Sequence, residues 1–436
     1  MIDISRCGAA VAAGLLVLTM PQPAAAALPG PERISVSVTG GDSDWFSNGS
    51  SISDDGRLVV FQSYSTDLVP RDINGGYDSF VRDRQAGVTR LLGLNPDGSQ
   101  TAEGVSSAVV SGDGRWVVYD ADAATLVSGD SNNKIDVFVE DLGTGAITRV
   151  SVTSSGAEPN NHSHTADISP DGRFVTFQST ATNLLTTDLN GATKSDVYLH
   201  DRLFGSTRLV SEALTGGGAG ADRLARDAKV SADGRYVAFM SAATNLVADG
   251  SSELSVFVRD MWTGVTTRDS LTWTGAPAGY PYEYSFSRDG RFVGFDSGFD
   301  DVVPGDTNNR MDAFVRDRWR GTTELVSVSS GGGPGNAGSH APQVGDGGRC
   351  VVFTSDASDL APGDTGGATD VFVRDMVAGT VVRISAPYSA DTDRPSYGAA
   401  VSRDGRHTSF DSQTGALDPN DTNDNDDVYA ATTGCG

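Results

Sequence analysis

The tripeptide Asp-Gly-Arg returns at a nearly fixed interval along the chain, and this repeat limits the possible folds more than any other feature. Six copies keep the three residues, and one copy reads Asp346-Gly347-Gly348-Arg349. The last glycine of each copy is Gly56, Gly114, Gly172, Gly234, Gly290, Gly348 and Gly405. A period of 56 to 62 residues predicts repeated units that bury their cores against one another.

Each repeat predicts four short antiparallel strands. In the third copy the strands are residues 165–169, 174–177, 196–201 and 207–211. Asp171-Gly172 between the first two is a strong hairpin signal, because glycine supplies the positive φ of the turn. In four other copies the matching fourth strand opens with Thr89-Arg90, Thr148-Arg149, Thr267-Arg268 and Val382-Arg383. No segment has helical periodicity, so the repeat is typical of a propeller blade, with strands A to D from the channel outwards.

The two ends of the chain predict how the ring closes. The seventh copy has strands A to C but no strand D, and residues 32–38 match the strand D segment 147–152. We therefore predict an all-β, seven-bladed β-propeller of four-stranded antiparallel blades, whose last blade is closed by the N-terminal strand. Closure of this kind removes free sheet edges. The single domain spans 31–433, and 434–436 form a tail.

The first 27 residues predict a secretory signal peptide. Arg6 precedes an apolar run over 7–20, and Ala24 to Ala27 supply small residues for cleavage. The run is too short to span a membrane and no second one follows, so we expect a secreted, extracellular protein without membrane insertion. The formal charge of −25 argues against nucleic-acid binding. We expect a monomer.

Two cysteines follow the predicted cleavage site, Cys350 and Cys435. In an oxidising compartment they allow one disulfide, and the alternative is two unpaired thiols. Strand B is internal and strand D external, so the separation could exceed disulfide reach.

The repeat resembles that of TolB-like propellers. The segment Ser231-Ala232-Asp233-Gly234-Arg235-Tyr236-Val237-Ala238-Phe239 carries the resemblance, and Asp-Thr-Asn before Asp-Val-Phe-Val-Arg-Asp is similar to a subgroup in exported bacterial proteins. The resemblance covers about 31–433 and implies a propeller that serves as a binding platform, an accessory domain or, less often, a lyase or peptidase gate. Fold alone does not decide among these activities.

The loop between strands B and C repeats aspartate and asparagine in a spacing that could bind calcium, which prefers oxygen ligands. The alternative is that these residues form Asx turns and begin strand C. The fourth copy keeps Asp249 but has Ser251 and Ser255. The predicted calcium ligands are Asp72, Asn74, Asp78, Asp130, Asn132, Asp136, Asp188, Asn190, Asp196, Asp306, Asn308, Asp312, Asp364, Asp370, Asp421, Asn423 and Asp427.

Positions that differ between blades are the better candidates for ligand binding. On the D–A loop, five residues before the strand A serine, the seven copies have Asn48, Ser106, His164, Arg226, Tyr282, His340 and Tyr397. Three residues later they have Ser51, Val109, Asp167, Lys229, Ser285, Gln343 and Ala400. We predict that His164, Arg226, Tyr282, His340, Tyr397, Asp167 and Lys229 bind a polar ligand at the channel mouth. The alternative is a solvated rim without a ligand.

Two functions remain open from the sequence. The first is a secreted, non-enzymatic binding or scaffold module for a protein, peptide or glycan. The second is a secreted lyase or hydrolase with a site around His164, Arg226, Tyr282 and His340, where His162, His164 and His340 could converge on a metal. No catalytic residue is assigned, because no Gly-x-Ser-x-Gly motif occurs. Convergence of the four side chains would favour the enzyme.

Overall fold

Seven four-stranded antiparallel sheets form the structure, a computed structural model that describes residues 29–185, 193–364, 366–386, 394–423 and 425–435. The predicted fold class, a seven-bladed β-propeller, is confirmed. The predicted signal peptide lies outside the described residues, as do Asp188 and Asn190 of the third acidic loop. No helix in the described segments is long and apolar enough to cross a membrane.

Every blade is ordered A, B, C, D from the channel to the rim. Strands A are Ser47–Ile52, Ser106–Val110, Ser163–Ile168, Ala225–Val230, Tyr284–Phe286, Ser339–Val344 and Ser396–Val401. Strands B are Leu58–Ser63, Trp116–Ala121, Phe174–Ser179, Tyr236–Ser241, Phe292–Ser297, Cys350–Ser355 and His407–Ser412. Strands C are Asp78–Asp83, Asp136–Asp141, Asp196–Asp201, Ser255–Asp260, Asp312–Asp317, Asp370–Asp375 and Asp427–Thr432.

Strands D of blades 1 to 6 are Val88–Leu91, Ile147–Arg149, Ser206–Leu209, Thr266–Arg268, Thr322–Leu325 and Thr380–Arg383. Short 3-10 helices lie at Asp346–Gly348 and Gly415–Leu417. The first follows from the extra glycine in the sixth Asp-Gly-Arg turn.

Strand D of blade 7 comes from the N-terminus, as predicted. Glu32–Arg33 pairs antiparallel with strand C, placing Arg33 opposite Tyr429. The backbone N–H of Ile34 adds a hydrogen bond of 2.7 Å to the carbonyl of Val428. The strand is shorter than the predicted 32–38, because the chain turns after Ile34 and Val36 forms a bridge with Asp42 instead.

The core lies between adjacent blades. Each blade pairs an aromatic of strand B with one of strand C, as in Phe61 opposite Phe80, whose ring centroids are 5.7 Å apart. One apolar cluster joins Ile34 and Val428 of blade 7 to these two rings of blade 1. Because neither face of a blade is buried without a neighbour, the repeats are stable only as a ring.

The glycine of the Asp-Gly-Arg turn is required by both conformation and space. Gly172 has a φ of 73°, and a Cβ added there would lie 2.1 Å from the Trp116 ring of the preceding blade. Gly234 meets Phe174 in the same way, at 2.6 Å. The arginine of the turn pairs with the aspartate that ends strand C, with Arg173 and Asp201 2.7 Å apart. These residues therefore hold the blades together, as their presence in every repeat suggests.

The sequence alignment of strand D was wrong in blade 1. It matched Thr89-Arg90 with Thr148-Arg149, but Leu91 lies opposite Phe80 where Arg149 lies opposite Phe138. A shift of one residue turns a side chain to the other face of a sheet. Arg90 therefore cannot occupy the place of Arg149.

Cys350 and Cys435 are buried free thiols in contact with each other. Of the two alternatives left by the sequence, the structure has the two unpaired thiols. The thiols lie closer together than we expected for one residue on an inner strand and one at an outer strand.

Deletion of residues 32–38 tests the closure. The truncated protein loses strand D of blade 7 and exposes the edge of strand C, so we expect aggregation or loss of cooperative unfolding in thermal melts. A monomeric truncation with an unchanged melting temperature would contradict the closure.

Removal of one side chain gives a milder test of the same contact. Arg33 is buried among Asp42, Asp418, Asp421 and Asp427. Arg33→Met should lower the free energy of unfolding by about 3–5 kcal/mol, because it leaves buried carboxylates without a counter-charge. Arg320, whose side chain is 74% exposed, is the control, and Arg320→Met should scarcely alter the denaturant midpoint.

Candidate functional site

The channel is lined by the variable residues of strand A. A cavity of about 280 Å³ lies on the axis, and all seven residues of the second variable set line it: Ser51, Val109, Asp167, Lys229, Ser285, Gln343 and Ala400. The prediction that these positions face the channel is confirmed. Whether they bind a ligand stays a prediction.

The predicted D–A loop position of the first variable set was wrong for six of its seven residues, which lie at the start of strand A beside a break in the strand, and only Tyr282 precedes its strand. The residue that follows the variable position has left-handed backbone geometry in six blades: Gly49, Ser107, Thr165, Asp227, Ala341 and Gly398. Side chains of this kind rarely adopt φ values of 51° to 56°, as four of them do here. The strand pairing slips at the same point, for example between His164 and Asp167, which is a β-bulge.

Strand B of the preceding blade holds the bulge in place. Asp120 accepts a hydrogen bond of 3.0 Å from the backbone N–H of Thr165, and Asp411 accepts one of 2.9 Å from Gly49. The exception is informative. Met240 of blade 4 offers no acceptor, and the matching residue of blade 5, Glu283, does not have left-handed geometry.

His164 and Arg226 are connected through two other residues. The His164 ring lies 3.3 Å from the Gln178 amide, whose oxygen accepts from the backbone N–H of Asp227 at 3.2 Å. Arg226 pairs with the Asp227 carboxylate. Burial lowers the pKa of His164, so the imidazole is neutral at pH 7.

Tyr282 and His340 share Asp296 of strand B. Asp296 accepts from the backbone N–H of Tyr282 at 2.7 Å, and the His340 Nδ1 lies 4.0 Å from its carboxylate. Burial raises the pKa of Asp296. Burial also raises the pKa of the neighbouring Glu283, and the charge of Asp296 adds to this effect.

The four side chains do not form one contact cluster. Within the described residues no hydrogen bond or ion pair joins the His164–Arg226 pair to the Tyr282–His340 pair. His162 lies apart, accepting at Nδ1 from the backbone N–H of Ile135. Among all the residues that the structure describes, no three His, Cys, Asp or Glu side chains are grouped to hold a metal.

The channel interior contains a buried ion pair and a lysine. Asp167 receives two hydrogen bonds from Arg288, of 2.5 and 2.9 Å. Burial opposes ionisation of Asp167, but Arg288 and Lys229 lower its pKa. Lys229 itself makes no hydrogen bond or ion pair to the described residues. The sequence analysis missed Arg288, although it occupies the variable position inside the Ser-x-Asp-Gly-Arg motif.

Tyr397 closes the ring beside blade 1. Its hydroxyl donates to Asp426 at 2.6 Å, and Asn48 accepts from the Tyr77 hydroxyl. Tyr77 also contacts Tyr64, with ring centroids 4.6 Å apart. The channel mouth therefore continues into an aromatic cluster on blade 1.

Six exposed aromatic residues lie on the face that carries the D–A and B–C loops, and three others lie at C–D turns on the opposite face: Phe204, Trp262 and Trp319. The six are Trp45 and Tyr64 on blade 1, and Trp273, Tyr280, Tyr282 and Phe299 on the loops before strands A and C of blade 5. We name the last four the blade 5 aromatic group. Of these four, only Tyr282 was predicted from the sequence, since the other three do not recur from blade to blade and only their large apolar size marks them.

The repeated acidic loops contain arginines that the sequence analysis did not place there. Arg149 lies 3.3 Å from Asp130, Arg268 lies 2.9 Å from Asp249, and Arg383 lies 3.2 Å from Asp364. In blade 7, Arg33 lies 3.1 Å from Asp418 of the acidic loop. The calcium sites predicted from these loops stay a prediction.

Comparisons with known proteins identify the fold and no more. No family model matches the chain, and no curated protein sequence is significantly similar. The β-propeller domain of the Trilobed protease from Pyrococcus furiosus has a TM-score of 0.54 at 10% identity, over 89% of this chain and 94% of that one. Oligogalacturonate lyase from Vibrio parahaemolyticus has a TM-score of 0.50 at 11% identity, over 92% and 96%.

TolB from Acinetobacter baumannii is similar at a TM-score of 0.38 and 14% identity, over 79% of this chain and 64% of that one. These identities are too low to transfer an activity.

The hydrogen bond that Asp411 accepts from Gly49 at the bulge predicts an unusual pH dependence of stability. Burial raises the pKa of Asp411 to about 8, and Asp426 adds to the shift. The folded state therefore keeps a proton that the unfolded chain loses near pH 4, and stability falls as pH rises between these values. Asp411→Asn keeps an acceptor for Gly49 without the charge. Its melting temperature should match the wild type near pH 4 and exceed it near pH 8.

Asp83→Asn is the control of opposite sign. In the wild type, the hydrogen bond that Asp83 accepts from Arg57 lowers the pKa of Asp83 to about 2. The ionised Asp83 therefore stabilises the folded state above about pH 4. The variant should be less stable than the wild type near pH 8. Equal melting shifts for both variants would show that Asp411 is ionised in the fold.

Proposed function

We propose that this protein is a binding module that holds a glycan on the face formed by the D–A and B–C loops. The observation that carries the proposal is the blade 5 aromatic group, which adjoins the polar ring of the channel mouth. Tyr282 belongs to both. The predicted secretion fits such a role, and we propose that the protein acts outside the cell.

Exposure of large aromatic side chains is costly unless a ligand covers them. Four of the five tryptophans are exposed, and two of these, Trp45 and Trp273, lie on this face. An exposed apolar surface bordered by polar residues marks binding sites. A sugar ring presents C–H groups on its face and hydroxyls at its edge, so it suits an aromatic surface bordered by hydrogen-bonding groups.

The bordering groups are available at the channel mouth. Lys229 projects an ammonium into the channel beside Ser285 and Gln343, which also line the cavity. His340 and Tyr282 stand at the rim above it. A terminal sugar could place a hydroxyl or a carboxylate against Lys229 while the adjoining residues stack on Trp273 and Tyr282.

A second candidate is a secreted lyase or hydrolase, favoured by one observation. Glu283 has a raised pKa and lies within electrostatic range of Lys229, His340 and Asp296. A carboxyl group with a raised pKa can act as a general acid, although Glu283 is exposed to solvent. The separation of the His164–Arg226 pair from the Tyr282–His340 pair weighs against this candidate, so binding is the preferred function.

Matched aromatic variants test the binding function. Trp273 and Trp319 are both 64% exposed, but Trp319 lies at a C–D turn on the opposite face. After a glycan array identifies a ligand, calorimetry should show at least tenfold weaker binding for Trp273→Ala and Tyr282→Ala, equivalent to about 1.4 kcal/mol. Trp319→Ala should bind like the wild type.

Three results would contradict the proposal. The first is no glycan bound on the array, and the second is equal loss in Trp273→Ala and Trp319→Ala. Selective capture of peptides through Trp273 would replace the glycan with a peptide ligand at the same surface.

Glu283→Gln separates binding from catalysis. The variant removes the acid but keeps the size of the side chain. If the protein only binds, the wild type leaves the bound glycan intact in mass spectrometry, and the variant binds it with similar affinity. Cleavage by the wild type that is lost in Glu283→Gln would establish the enzyme instead.

A further inference from the structure

The acidic loop of blade 5 contains a buried carboxylate without a side-chain partner. Asp306 is 5% exposed, and neither of its carboxylate oxygens makes a hydrogen bond. The backbone N–H groups of Thr307 and Asn308 lie near enough to lower its pKa in part, but burial raises it overall. An unpaired buried carboxylate is unfavourable, so something else is expected to compensate it.

Four other blades show what compensates this position. The residue of strand D opposite the strand C aromatic is Arg149, Arg268, Arg383 or Arg33 in blades 2, 4, 6 and 7. In each, the guanidinium forms ion pairs with the loop aspartates. In these four blades an arginine of strand D therefore supplies the positive charge beside the loop aspartates.

Blade 1 uses an amide for the same purpose. Its strand D residue is Leu91, and Gln100 of the following D–A loop donates to Asp72 at 3.0 Å and to Asp78 at 3.1 Å. Only one oxygen of Asp72 therefore lacks a hydrogen bond, whereas both oxygens of Asp306 do.

Blade 5 has neither substitute. Leu325 lies opposite Phe314, where four blades have arginine, and Pro334 bridges to Val328 where Gln100 of blade 1 bridges to Leu94. Neither side chain can donate a hydrogen bond or carry a charge. Blade 5 keeps the aspartates of the repeat but has lost both kinds of compensating group.

Two more carboxylates stand near Asp306. Asp312 is fully buried and accepts from Ser327 at 2.5 Å and from Asn308 at 2.7 Å. Asp300, at the start of the loop, lies close enough to raise the pKa of both aspartates. Three acids therefore share one small region without an internal cation.

We propose that the B–C loop of blade 5 binds a calcium ion, with Asp306 as the central ligand and with Asp312 and Asp300 beside it. Calcium takes six to eight oxygen ligands in flexible geometry and accepts carboxylates and carbonyls together. The described residues contain no three acidic side chains already gathered around a point. Backbone carbonyls, water and a turn of the half-buried Asp300 complete the shell. The ion takes the place that the strand D arginine occupies in blades 2, 4, 6 and 7.

The test compares three variants with the full-length protein after chelator treatment. Asp306→Asn removes the central charge. Leu325→Arg supplies the guanidinium that blades 2, 4, 6 and 7 already have. Asp130→Asn is the matched control, since it changes the equivalent aspartate of a loop that contains Arg149. Calorimetry with calcium chloride gives the number of bound ions, and thermal melts with and without calcium give the stabilisation.

We expect calcium to bind and to raise the melting temperature of the wild type and of Asp130→Asn. Asp306→Asn and Leu325→Arg should each bind one ion fewer, and Leu325→Arg should melt higher than the calcium-free wild type. Ions bound at other loops, such as the third, do not affect this result, because only the loss of one ion relative to the wild type is assigned to blade 5. No calcium binding by the wild type, or an unchanged count in both blade 5 variants, would overturn the proposal. If Asp306→Asn does not fold, Leu325→Arg alone decides.

Discussion

The contact between each Asp-Gly-Arg turn and the blade before it supports the whole structure. The turn glycine lies against the first side chain of the preceding strand B, as Gly172 does against Trp116. A single methyl group there would collide with the ring, so the spacing between blades is fixed by a missing side chain. The arginine of the same turn pairs with the end of strand C in its own blade. One tripeptide thus sets both the turn within a blade and the packing between blades, and the closing strand completes the circle.

The acidic composition places a second constraint on the ring. Aspartate begins strand C in six of the seven blades, where it is buried. A buried carboxylate is tolerated when hydrogen bonds or a counter-charge replace water. Ser151 bonds to Asp136 in this way, and Arg149 supplies the charge nearby. The arginines of strand D are therefore part of the core, and the side chain opposite the aromatic decides how each loop is neutralised.

Most of the fold could be predicted from the sequence because the repeat expresses local rules. Asp-Gly fixes the hairpin, alternating apolar residues fix the strand faces, and the match of residues 32–38 to 147–152 fixes closure. The alignment failed at Arg90, where a one-residue shift is invisible without the register of the partner strand. The channel position of Lys229 and its six equivalents followed from the period. The network that links Arg226 to His164 through Gln178 did not, because it joins side chains of different blades.

Most of the aromatic surface was missed for a related reason. Tyr282 was found because it occupies a variable position of the repeat, whereas Trp273, Tyr280 and Phe299 do not recur in the other blades, so a comparison of the repeats does not mark them. Natural sequences depart from their own local rules mainly where function requires it. Irregular positions within a regular repeat are therefore the better place to look for function.

Blade 5 gathers several such departures. Its strand A lacks the bulge, and Met240 of the preceding blade cannot accept the hydrogen bond that Asp120 and Asp411 accept elsewhere. Its acidic loop has Leu325 in place of arginine. Its loops carry the blade 5 aromatic group. The first two changes lose a stabilising contact that some of the other blades keep, and packing alone gives no reason for the three to occur together. A binding surface beside a metal-dependent loop would account for all three, since a bound ion would order the B–C loop that carries Phe299 and thereby position the aromatic surface at the channel mouth.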